Sequence, residues 1–294
     1  MTPNEYLSET LNNQTLAEDS DELRALRQRR DDVEQLLRKE LASSSPIIRY
    51  GGSKAKRTMI KEAYDLDVVC YFLHEDDGAG QTLEEIFGAV RQALSKEYAV
   101  LAKASALRLQ SMSYEDFHVD VVPGRFVDDS KTDAYLHRTT GEKQRLKTNL
   151  QTHIDHVRDS GIVEAIRLLK LWRVRNGLRI KHFALELVAI ELLASKNNEP
   201  LESQLEHAWT EMRDNIEGVT IADPANPTGN DLSEIFDEGI KQELSSAGGR
   251  TLHAIETDGW EAVYGKLPDE DDNSDKHLRQ AAHQVRAPSR PWCG

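Results

Sequence analysis

The chain has only two cysteines among 294 residues, no long apolar run and no excess of basic charge. Cys70 falls inside a predicted buried strand and Cys293 beside the end of the sequence, so the pair makes no disulfide framework. No stretch approaches the roughly 18 uninterrupted apolar residues of a membrane-crossing helix, so no membrane association is expected. Met1-Thr2-Pro3-Asn4-Glu5 lacks a basic segment leading into an apolar core, so no signal peptide is read and a cytoplasmic protein is expected. The net charge is −14. A protein gripping long duplex nucleic acid needs a basic field to release counterions, and this chain has none overall. Ten of its 37 lysines and arginines fall instead in two segments, Lys54 to Lys61 and Arg167 to Lys181, sized for nucleotide phosphates.

With 38 % apolar and 30 % charged residues the composition is that of a globular chain with a polar surface. Leu23, Leu26, Val33, Leu36, Leu37 and Leu41 recur at helical spacing, which predicts a helix from about Ser20 to Leu41. A strand over Pro46 to Tyr50 leads through Gly51-Gly52-Ser53 to a second strand, Asp65 to Leu73. A helix follows over Thr82 to Glu97, then strands near Ala104 to Gln110 and Glu115 to Val122, closed by Pro123-Gly124. Arg125 to Lys147 reads as a polar connection. Helices then dominate: Thr148 to Asp159, Gly161 to Arg175, Phe183 to Ser195, Leu201 to Ile216, Leu232 to Ser245 and Arg250 to Tyr264. The expectation is therefore an α+β protein in two lobes with a cleft between them: residues 1–147 as a mixed-sheet core with an N-terminal helix, 148–267 as a helical domain. Residues 268–294, acidic and then rich in proline and arginine, read as a flexible tail.

The chemistry-bearing residues cluster in the first lobe. Period-two alternation puts Asp65 and Asp67 on one face of their strand. Asp120 lies within an apolar strand, where an unpaired carboxylate is costly, so something cationic should face it. Close carboxylates suit magnesium, and two such ions about 4 Å apart can clamp an in-line phosphoryl displacement. Gly52 lets the backbone approach a phosphate, and the Ser53 hydroxyl can donate to one. Arg167 and Lys170, three apart on a helix, would form a cationic patch facing the cleft. His153 and His156 read as surface residues.

Gly52-Ser53, eleven intervening residues, Asp65-x-Asp67 and the strand Val119-Asp120-Val121-Val122-Pro123-Gly124 resemble the DNA polymerase β-like nucleotidyltransferases. The segments Ile166 to Trp172 and His182 to Leu187 look like the paired helical segments of 2′-5′-oligoadenylate synthases and of the bacterial cGAS/DncV-like nucleotidyltransferases of anti-phage signalling. Asp223-Pro-Ala-Asn-Pro-Thr-Gly-Asn230 is similar to a signature in the same group. The resemblance implies a polymerase-β-like core with the active site in the cleft. Asp65, Asp67 and Asp120 would then hold two Mg2+ or Mn2+ ions. Gly52, Ser53, Lys170, Lys181, His182 and Phe183 would meet the nucleoside triphosphate, ATP being the expected donor. Product would be a cyclic di- or trinucleotide, with release of pyrophosphate, in CBASS-type defence. A linear adenylyltransferase and a non-catalytic nucleotide-binding protein stay open. Arg57, where glycine is usual, and His182, where a small polar residue is common, depart from the pattern. Gly294, behind Pro291-Trp292-Cys293, is a candidate site for conjugation by an operon-encoded ubiquitin-transfer-like enzyme.

Overall fold

The computed structural model describes residues 1–64, 66–110, 118–141 and 143–268, so Asp65, the first part of the strand expected from Glu115, and residues 269–294 with Gly294 lie outside the described residues. In chain order, α1 (Pro3–Asn13) and α2 (Asp21–Glu40) precede β1 (Ile47–Tyr50), the single turn α3 (Gly52–Ala55) and β2 (Leu66–Phe72). Next come α4 (Leu83–Leu94), β3 (Ala99–Ala102), β4 (Leu107–Gln110), β5 (His118–Phe126), β6 (Asp133–His137) and β7 (Arg145–Asn149). The rest is helical: α5 (Leu150–Arg158), α6 (Val163–Arg175), α7 (His182–Leu192), α8 (Leu201–Asp214), α9 (Glu238–Asp258) and α10 (Glu261–Tyr264).

The sheet runs β1-β2-β5-β4-β3, with β2 and β5 parallel and β6–β7 continuing as a hairpin from the end of β5. Strand alternation divides its two faces. Val68, Cys70, Phe72, Leu107, Leu109, Val119 and Val121 are buried on one face, against apolar residues of α2 and α4. The opposite face carries Val69, Tyr71, Phe126, Ala134 and Leu136 as a smaller apolar cluster. By parity, Asp67 and Asp120 share this second face. The helical residues form a third cluster around Trp172, Trp209 and Trp260, whose rings stack at 5.9 and 5.8 Å. α1 joins that cluster through Tyr6, Leu7 and Leu11, although its place in the sequence groups it with the sheet. Among the described residues no helix is long and apolar enough to cross a membrane.

Three stretches differ from the sequence expectation. The polar segment 125–147 is not a bare connection but the β6–β7 hairpin, because Phe126, Ala134, Leu136 and Leu146 alternate to cover Val69 and Tyr71. Pro123 and Gly124 do not end β5. The β4 pairing stops at Val121 and the β6 pairing starts at Arg125, so Pro123 lies where β5 is paired on one side, to Cys70 of β2. The two last helices are largely one: α9 runs through Gly248, where a Cβ would meet the Trp209 carbonyl at 2.9 Å, so glycine lets α8 and α9 close.

Arg57 also gains an explanation. Its φ is +62°, the left-handed region in which glycine is free and an L side chain is strained. Relieving about 1–2 kcal/mol of that strain, less the extra entropy of an unfolded glycine, leaves Arg57→Gly more stable by about 1 kcal/mol. Urea unfolding of the two proteins measures this; equal midpoints would refute it.

Candidate functional site

The glycine turn is shaped by Asp67. Gly51 N–H donates to the Asp67 carbonyl at 3.0 Å, and Gly52 has φ +72°. A Cβ on Gly52 would lie 2.0 Å from Asp67 Oδ2, so both backbone and space exclude any other residue. Asp67 and Asp120 are register partners across the parallel β2–β5 pair. Neighbouring strands lie about 4.8 Å apart, so the two carboxylates rise side by side from one face. Among the described residues no group of three metal-ligating side chains forms, and the expected third carboxylate, Asp65, is outside them. Paired hard oxygens beside a cradle that a Cβ would fill suit a divalent cation.

The cations anticipated opposite Asp120 are present. Arg108, its register partner on β4, donates Nε to Oδ1 and Nη2 to Oδ2, both at 2.8 Å, and Lys103 Nζ donates to Oδ2 at 2.8 Å. Burial raises the Asp120 carboxyl, but these hydrogen bonds outweigh it and hold it below the ordinary aspartate range. Neither partner was singled out in the sequence, since nothing local shows that β4 lies beside β5.

Lys170 does not face the open cleft. It is 3 % exposed and donates to Glu186 Oε1 at 2.8 Å and to Thr58 Oγ1 at 2.9 Å. Lys56 reaches Glu186 Oε2 at 2.8 Å, and Thr58 Oγ1 donates to Glu186 Oε1 at 2.7 Å. Burial raises the Glu186 carboxyl, but Lys170 and Lys56 more than offset it and bring it down to about 2. Burial likewise pushes the Lys170 ammonium below the ordinary lysine range despite Glu186. Arg167 turns elsewhere, to Met59 O and Thr15 Oγ1, so the expected Arg167–Lys170 patch does not form. Both chains are long enough to leave the face that their spacing predicts.

Two expected contact residues hold unpartnered buried atoms: Ser53 Oγ and His182 Nδ1 have no hydrogen-bond partner among the described residues. Arg173 Nη1 lies 3.3 Å from His182 Nε2. A guanidinium only donates, so Nε2 accepts and Nδ1 carries the proton. Burial, then Arg173, drives the His182 pKa down to about 3, and the ring is neutral. Phe183 lies 5.2 Å from Lys56 Nζ and 5.1 Å from the His153 ring. His153 is therefore not a surface residue. Its Nε2 meets Asp223 Oδ1 at 2.6 Å, and Asp223 also accepts from Asn230 Nδ2 at 2.7 Å. Lys181 is the exposed N-cap of α7.

No protein-family model and no curated protein matches the chain. Solved structures do. The Bradyrhizobium diazoefficiens CD-NTase CdnG in complex with GTP superposes with a TM-score of 0.69 at 12 % identity, over 96 % of this chain and 98 % of that one. The Vibrio cholerae DncV cyclic AMP-GMP synthase gives 0.66 at 14 %, covering 91 % and 97 %. The E. coli MS115-1 CdnC in its HORMA complex gives 0.65 at 19 %, covering 91 % and 98 %. This chain has the CD-NTase fold. The polymerase-β-like α+β architecture expected from the Gly-Ser and Asp-x-Asp spacing is thus the one observed. Within that CD-NTase fold, Glu186 on α7 joins the segment that follows the α3 turn to α6.

Removing one partner of a buried ion pair costs about 3–5 kcal/mol. Glu186→Ala should lose stability on that scale, and Lys170→Met with Glu186→Leu should lose less than the single change. Glu186 is depressed, so its contribution is full above its ordinary pKa of 4.5 and is lost as pH falls through about 2. Glu186→Gln should therefore show a shallower loss of stability across that window; parallel curves would reject the assignment.

Proposed function

We propose that the chain is a Mg2+- or Mn2+-dependent nucleotidyltransferase that condenses nucleoside triphosphates into a cyclic di- or trinucleotide, releasing pyrophosphate, as a signal in CBASS-type anti-phage defence. The observation that carries this reading is the register pairing of Asp67 with Asp120 beside the Gly52 turn; of the expected contact residues, Ser53 Oγ and His182 Nδ1 are buried without a hydrogen-bond partner among the described residues. Buried polar atoms of a native protein ordinarily have partners, so these two await a ligand's acceptors. That the neighbouring folds belong to a cyclic AMP-GMP synthase and to a CD-NTase solved with GTP supports the same chemistry.

On this reading Asp67 and Asp120, with Asp65, hold two divalent ions. When bound, such ions lower the pKa of an attacking ribose hydroxyl and stabilise the charge on the transferring phosphoryl. Asp120, kept ionised by Arg108 and Lys103, accepts the hydroxyl proton at its carboxylate. The Ser53 hydroxyl donates to a phosphate oxygen of the donor nucleotide, over the close backbone that Gly52 allows. His182 donates through Nδ1–H and, being neutral, brings no charge that changes in the physiological range. Lys170 acts through its field: two ammoniums against one carboxylate leave a positive charge behind the site, and Asp67 lies within its electrostatic reach. Phe183, fixed by Lys56 and His153, offers a rigid ring for a base to stack on. Lys181 reaches the phosphates from the mouth.

The Arg108–Lys103 clamp favours a second reading, a nucleotide-binding protein without turnover, because it neutralises Asp120 with protein cations. One experiment separates the two: incubation with the four ribonucleotides and Mg2+ or Mn2+, followed by mass spectrometry and phosphatase treatment. A phosphatase-resistant product and free pyrophosphate are expected, and binding without pyrophosphate would select the second reading. Asp67→Asn and Gly52→Ala should each lower product formation at least about a hundredfold, or some 2.7 kcal/mol of transition-state stabilisation, with the circular-dichroism spectrum unchanged.

A further inference from the structure

A cavity of ≈ 520 Å³ opens between the β6–β7 hairpin and the Asp223–Asn230 loop, lined by Tyr135, Lys143, Arg145, Lys147, Asn226 and Asn230 among others. It is not the carboxylate site. Ala134 and Leu136 belong to the apolar cluster on the carboxylate face of the sheet, so Tyr135 projects from the opposite face. Lys147 is the register partner of Tyr135, and Arg145 that of His137, which stacks on Phe87 of α4 at 5.3 Å. The cavity's cations thus stand on the side turned away from Asp67 and Asp120.

Arg145 and Lys147 occupy alternate positions of β7, which turns both the same way, and Lys143 lies just ahead of the strand on the wall of the same cavity. In a chain of net charge −14 this is a local reversal of sign. Lys147 is paired with Asp133 at 2.7 Å, and Lys143 donates to the Gly229 carbonyl at 2.7 Å. Arg145 differs. Its guanidinium stacks on the Tyr135 ring at 4.7 Å and makes no hydrogen bond among the described residues. A guanidinium held over a ring keeps its N–H donors at its edge, none of them taken among the described residues, an arrangement suited to binding phosphate bidentately.

We propose that this cavity is a second site, for a phosphorylated small molecule of nucleotide size, with Arg145 and Lys143 taking the phosphates. The volume falls within the range of small-ligand pockets, roughly 300–1,000 Å³. The site also has a physical route to Phe183. Asn230 Nδ2 donates to the Lys147 carbonyl at 2.8 Å on the cavity wall and to Asp223 Oδ2 at 2.7 Å. Asp223 holds His153, and His153 packs on Phe183. A ligand that draws on the β7 strand therefore bears on the wall of the nucleotide site. The proposal stands independently of the reaction proposed above.

The test titrates a fluorescent N-methylanthraniloyl ATP into the full chain in EDTA, comparing wild type with Arg145→Ala and Lys143→Ala/Arg145→Ala. Affinity is expected to fall at least tenfold in the single variant and further in the double one, while thermal unfolding is unchanged. Product formation at saturating nucleotides is measured separately, so a failed reaction does not count against the site. Competition with inorganic tripolyphosphate assigns the contacts to the phosphate chain; displacement by ATP alone shows that the base is read as well. Superimposable isotherms for wild type and the double variant overturn the proposal. So does a single-stranded RNA 12-mer that outcompetes ATP at equal phosphate concentration, since the cavity would then belong to a nucleic-acid track.

Discussion

The junction between the glycine turn and the helices α6 and α7 depends on a single buried carboxylate, Glu186 on α7, and on the three groups that satisfy it. Two ammoniums and a hydroxyl converge on it, one ammonium from α6 and the other two groups from the segment just after the glycine turn. Each ion would be expensive to bury alone, and together they are tolerable because every oxygen is matched. The consequence is positional. α3 is a single turn that could not hold itself in water, since helix nucleation is unfavourable and so short a segment has almost nothing to propagate. Lys56 and Thr58, immediately beyond it, anchor it to Glu186 on α7 instead. Gly52 and Ser53 are thereby held against Asp67 by contacts made from that helix.

Below that junction the sheet separates packing from chemistry by parity alone. One face is sealed by α2 and α4 with continuous apolar side chains. The other is apolar only toward the β6–β7 end and carries Asp67, Asp120 and Arg108 toward the start of β5. The parallel pairing of β2 and β5 sets the two acids level, which a one-residue slip would undo for both.

The parts of this arrangement legible in the sequence were those carried by short-range pattern. Alternation placed Asp67 and Asp120 on strands, glycine marked the turn, and their ordered spacing pointed to the fold. What escaped was decided by partners far along the chain. Lys170 looks like a cleft residue until Glu186, sixteen positions on, draws it into the interior. His153 looks like a helix-surface histidine until Asp223, seventy positions away, meets it. Arg108 acquires meaning only once β4 lies beside β5. The hairpin within 125–147 was hidden because its polar outer face lowers the average hydropathy of a segment whose alternate residues are apolar. Arg57 sits between the two cases: the departure from glycine was visible, but only the positive φ explains what glycine would do there.

The same distances explain how so acidic a chain can suit a polyanionic substrate. Net charge governs long-range steering, whereas interactions within a few ångströms in a partly buried site are much less screened. Around Asp120 the count runs opposite to the whole molecule: Arg108 and Lys103 together outweigh the one carboxylate between them. Behind Asp67, Lys56 and Lys170 outweigh Glu186 in the same way. Asp120 and Glu186 are thus each embedded in an excess of cations that the sequence total conceals. On the proposed reading phosphates would meet this local positive charge, although the net charge of the whole chain is −14. The local balance, set by which strands and helices lie side by side, is what makes the site compatible with triphosphates.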